Sequence, residues 1–139
     1  GGIPEPLLDE LTSGGRPLPP GFHEPTASPD GRAVAGHYQD EQQRGERMVV
    51  LSLDAGMAEQ RFPSVPPNAQ WAPDGKTLLY IAASNLWRQP LGGGPPSQLT
   101  SFTGDRLFSF AISTDQKRLA FVRGQTASDV VLVANRTER

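Results

Sequence analysis

Short apolar runs alternate with Gly-, Pro- and Asp-rich breaks along the chain, and each run is of strand length. Residues 22–28, 32–38, 47–53 and 58–62 form a first group of four. Residues 69–72, 76–82, 85–91 and 97–100 form a second group in the same order. Residues 107–113, 117–123 and 129–134 form a third group that lacks its fourth member. Runs of this length between turn residues predict strands. The polar stretch 39–46 predicts a solvated connection between the second and third strands of the first group. Residues 7–12 admit either a helical turn or a strand. Leu11-Thr12-Ser13 is repeated as Leu99-Thr100-Ser101, which favours the strand.

The break between the first and second strand of each group is one element in three versions. Trp71-Ala72-Pro73-Asp74-Gly75-Lys76 is the fullest, Ser28-Pro29-Asp30-Gly31-Arg32 the earlier and Ser113-Thr114-Asp115-Gln116-Lys117 the later. Pro presets φ, Asp bonds to the backbone ahead of it, and Gly accepts a positive φ at the exit. Thr114 and Gln116 replace Pro and Gly, so the third turn is the most weakly encoded. The aspartates lie 44 and then 41 positions apart. A strand-rich period of about 40–45 residues is that of a four-stranded propeller blade.

Composition narrows the classes. The chain has 139 residues, enough for one domain with a core, and its Gly 15 and Pro 14 suit many tight turns. A net charge of −2 with no basic block argues against nucleic acid as a partner. With no cysteine, disulfides and thiolate metal sites are excluded. No apolar run reaches the ~18–20 residues of a membrane helix, so no membrane insertion is expected of this chain.

Candidate chemistry is sparse. Asp30, Asp74 and Asp115 are acidic groups, but their shared repeat position marks them as turn residues. Gly92-Gly93-Gly94 is followed by Pro95-Pro96 rather than by Lys-Ser/Thr, so it reads as a hairpin turn, not a phosphate loop. There is no Gly-x-Ser-x-Gly elbow. Trp71 and Trp87 sit at repeat positions and read as packing residues. His23 and His37 are the only imidazoles; with Glu24 or Asp40 they make a donor set, but no ligand spacing supports one. No catalytic, cofactor-binding or metal residue is assigned, and no cofactor is expected.

The turns above, together with Asn85-Leu86-Trp87, Leu91-Gly92-Gly93 and Gln98-Leu99-Thr100, resemble the TolB-like (PD40) family of WD40-like β-propeller repeats. The resemblance covers about residues 7–135. Ala27 stands where the family has Trp, and the third copy lacks Pro and Gly. It implies an all-β, propeller-type chain of about three four-stranded antiparallel blade equivalents. Their divisions are 7–20 (outer strand and linker), 21–65, 66–106 and 107–135. The ending from Arg123 to Val133 resembles the C-terminus of propellers attached to bacterial receptor-like serine/threonine kinases and winged-helix regulators. The implied function is non-catalytic binding of a protein or small ligand, as the last part of a longer, extracytoplasmic protein. The alternative is an accessory gating propeller of a peptidase-like enzyme. Three blades do not close a ring, so a homodimer closing six blades is expected, set against a non-propeller or distorted monomer.

Overall fold

A computed structural model describes residues 18–42, 44–54 and 58–127. Within them the chain is all-β, with ten strands and no helix. The first sheet holds β1 (His23–Ala27), β2 (Ala33–Asp40), β3 (Gly45–Ser52) and β4 (Ala58–Phe62). The second holds β5 (Gln70–Trp71), β6 (Thr77–Ala82), β7 (Asn85–Pro90) and β8 (Ser97–Gln98). A hairpin of β9 (Arg106–Ile112) and β10 (Leu119–Gly124) follows. Each sheet is an antiparallel meander with its strands in chain order. The expected strands at 7–12 and 129–134 lie outside the described residues.

The three predicted turns share one backbone. Gly31, Gly75 and Gln116 each donate N–H to the residue three back (Ser28, Ala72, Ser113), at 2.9, 3.1 and 2.8 Å. Each has positive φ, at 70°, 64° and 62°. The aspartates accept amide hydrogens from Arg32, Lys76 and Lys117 at 3.1, 2.8 and 3.1 Å. The third turn therefore closes like the others although Gln116 occupies the glycine position. Its Asp115 carboxylate and the Ser113 hydroxyl hold it.

The connection expected at 39–46 is shorter than the polar composition suggested. The β2–β3 ladder continues through Gln39↔Glu46 to Asp40↔Gly45. Arg44, at φ 51°, helps to turn the chain in so little space. Polarity there reports an exposed ladder end, not a loop.

The second sheet is covered on both faces. Leu78 and Tyr80 join a core with Ala35, Met48 and Val50 of the first sheet. Leu79 and Leu86 join another with Leu107 and Phe110 of the hairpin strand β9. This explains the unbroken apolar run Leu78-Leu79-Tyr80, since alternate side chains enter different cores. Fully burying such a side chain contributes about 1.5–3 kcal/mol. Trp71 and Trp87 pack on the first core, as expected. Trp87 also donates its indole N–H to the Ala82 carbonyl at 3.0 Å. Polar contacts join the sheets as well: Gln60 Nε2 donates to the Leu91 carbonyl at 2.6 Å. The Asp30 carboxylate leans over Gly75, where an added Cβ would lie 3.1 Å from Asp30 Cγ.

Candidate functional site

The residues weighed for chemistry from sequence fall into two groups. The turn aspartates are engaged with their own turns. The Ser28 hydroxyl and then the Arg32 amide hold the Asp30 carboxyl below its ordinary value. Ser113 and then Lys117 do the same for Asp115. Asp74 accepts from the Lys76 amide and from the Thr77 hydroxyl, both at 2.8 Å. Gly93, at φ 93°, lies in the turn between β7 and β8, consistent with a hairpin.

The two histidines, by contrast, meet. His23 on β1 is the register partner of His37 on β2. The pairing is produced by a β-bulge. Ala27↔Val34 and Thr26↔Ala35 follow a regular ladder, and the register shifts between Thr26 and His23. An unbroken ladder would set Tyr38 opposite His23; the bulge brings His37 there instead. Glu24 lies within the bulge at φ 50°, in the left-handed region. Bulges re-aim side chains, and strained backbone of this kind concentrates at functional sites. The rings stand edge to face, with centroids 5.4 Å apart at 84°.

β3 completes the cluster. Its second residue, Glu46, places Oε1 3.2 Å from His23 Nε2. On the other side of the ring, His23 Nδ1 lies 2.7 Å from the Gly21 carbonyl oxygen. A carbonyl only accepts, so Nδ1 carries the hydrogen and Nε2 faces the cluster. The Gly21 carbonyl, followed by the Glu46 and Glu24 carboxylates, raises the His23 pKa above its ordinary 6.5; desolvation opposes them.

His37 is the buried member, its side chain 9% exposed. Its Nδ1 is shielded from solvent without a hydrogen-bond partner. Glu24 Oε2 lies 3.4 Å away, within ion-pair distance but not in hydrogen-bond geometry. One ring nitrogen of each histidine and a Glu46 carboxylate oxygen all lie within 4.8 Å of one another. The cluster thus offers two imidazoles and a carboxylate at one end of the first sheet. A cleft of about 470 Å³ opens at the same end, lined by Pro20, Tyr38, Asp40 and Arg61 among others. The Arg61 guanidinium sits 4.6 Å over the Tyr38 ring and pairs with Glu59.

Sequence reasoning put Glu24 beside the histidines correctly but left Glu46 in a connecting loop. The signal that would have found it is the register of β2 with β3, which carries Glu46 back to the β2 end where His37 lies. Comparison with models of known protein families finds no match, and no curated protein matches the chain.

Proposed function

We propose that the chain is a β-propeller-type binding module of the TolB-like repeat kind, with no catalytic role of its own. One observation carries the reading. The order β1-β2-β3-β4 recurs as β5-β6-β7-β8, each sheet begins its meander through the same Ser/Ala-Pro-Asp-Gly turn, and successive sheets stack face against face. Repeats of this kind contact only their neighbours and build surfaces from the connections at the strand ends. In this reading the sheet end that carries His23 and His37 on one face and the Tyr38–Arg61 cleft on the other is the ligand-binding end. The module serves as the sensing or interaction part of a larger bacterial protein.

Ring closure by a second copy belongs to the same proposal. The last hairpin leaves Phe108, Leu119 and Val122 exposed, at 46%, 44% and 58%. Val122 is the strand neighbour of Phe121, which packs inward, so it points to the opposite face. Exposed apolar surface of this kind favours association. Light scattering over a hundredfold concentration range tests this. The expected mass is twice the 15.0 kDa of one chain, returning to one chain in Val122→Glu. A monomer throughout, unfolding cooperatively, would overturn the closure.

A further inference from the structure

We propose that His23, His37 and Glu46 form a binding site for a divalent transition cation of the zinc class. The proposal goes beyond the propeller reading and does not depend on it, because the three residues belong to one sheet.

The donor set is the first argument. Two imidazole nitrogens and one carboxylate oxygen suit zinc and its first-row neighbours, and three protein ligands leave a position open for water or a partner's group. The three ligand atoms now lie within 4.8 Å of one another. Metal bonds of about 2.0–2.2 Å need ligand atoms roughly 3.3 Å apart. Glu46 is exposed and His23 half-exposed, so side-chain rotation can close the difference without disturbing the core.

The second argument is preorganisation. The Gly21 carbonyl fixes the His23 tautomer, leaving Nε2 toward Glu46. A ligating histidine characteristically donates its other ring N–H to a carbonyl or carboxylate in this way. Glu24 stands in the corresponding place for His37, 3.4 Å from Nδ1. With Nε2 as the ligand atom, Nδ1 carries a hydrogen that Glu24 can accept.

The third argument is the state of His37 without a cation. A plain His23–Glu46 ion pair accounts for those two residues. It leaves a nine-tenths buried imidazole nitrogen with no hydrogen bond, at a strained bulge that holds a second carboxylate beside it. Such an unpaired buried group is costly; a cation held by His37 Nε2 fixes the tautomer that carries its hydrogen on Nδ1, where Glu24 can accept it, and so removes the cost. Glu24 and Glu46 together also match the two positive charges of the ion.

Calorimetric titration of the untagged, chelator-treated chain with zinc chloride near neutral pH tests the proposal. One site per chain is expected. His23→Gln and Glu46→Gln alter exposed or half-exposed side chains and should keep the circular dichroism of the parent. Each should weaken zinc binding about tenfold or more. Glu24→Gln should weaken it less. Cobalt(II) substitution should give the visible absorption of a low-coordinate nitrogen–oxygen site, lost in His23→Gln. The chain has 2 histidines and no cysteine, so imidazole-dependent binding reports this cluster alone. Absence of binding at millimolar zinc would overturn the proposal. So would binding that His23→Gln and Glu46→Gln leave unchanged.

Discussion

The Trp71 indole N–H donates to the Thr26 carbonyl oxygen at 3.0 Å, joining the first strand of the second sheet to the first strand of the first sheet. The same ring packs on the core shared by the two sheets. Trp71→Phe keeps most of the packing and removes the donor. The expected cost is about 0.5–1.5 kcal/mol, toward the lower end because the bond is exposed. Urea unfolding should show a lower midpoint with an unchanged slope.

Gly36 is the second site where sheet geometry constrains a single residue. A Cβ placed there would lie 2.4 Å from Phe22 Cε2 and 3.1 Å from the His23 carbonyl oxygen. Phe22 packs with Tyr38, Val49 and Leu51, so its ring has little freedom to withdraw. Gly36→Ala is expected to destabilise by about 1–3 kcal/mol as an overpacking change. By moving His23 it should also broaden the His23 and His37 imidazole signals in proton NMR.

Gln116 holds φ 62° where its counterparts are glycines. A glycine removes the steric cost of that conformation and adds some unfolded-state entropy. Gln116→Gly is expected to stabilise by up to about 1 kcal/mol. Thermal unfolding checks this, and a fall in Tm would contradict the shared-turn geometry.

The β6–β7 hairpin turns on Ala83 and Ser84, at φ 48° and 60°. Two successive positive φ values define the turn that Asn-Gly supplies best. Ala83→Asn with Ser84→Gly should raise stability by about 1 kcal/mol, measured by urea titration.

Acid should weaken the fold through the turns. The Asp30 and Asp115 pKa values are lowered from 3.8 by the Ser28 and Ser113 hydroxyls first and by backbone amides second. The unfolded chain binds protons first as pH falls. The contribution is therefore complete above the unfolded value and is lost as pH drops through the lower folded values. Asp30→Asn and Asp115→Asn should flatten the dependence of the urea midpoint on pH below about pH 4.

Local residue order was enough to place the strands and turns. Pro-Asp-Gly closes a turn by its own backbone preferences, and apolar runs of strand length pair across it, so the two four-stranded meanders were legible without tertiary information. The third turn was legible from Asp115 and its repeat position, although Gln116 weakens its local signal. The apolar stretch Leu78-Leu79-Tyr80 indicated a buried strand; that two different cores cover its two faces came only from the packing of the sheets.

The histidine cluster was not legible, for a physical reason. Side chains in a strand alternate with period two, so a shift of one residue in register changes which of them meet across a ladder. Counting outward from the Pro29-Asp30-Gly31 turn puts Tyr38, not His37, opposite His23. The bulge at Glu24 reverses that result, and no local preference announces it: the left-handed backbone there is disfavoured for glutamate and persists because the surrounding sheet over-determines it. Glu46 likewise looked like loop because polar residues at an exposed ladder end carry no apolar alternation. Turn chemistry and strand identity are encoded within a few residues, whereas the meeting of His23, His37 and Glu46 depends on the pairing of three strands and the one extra residue that the ladder accommodates.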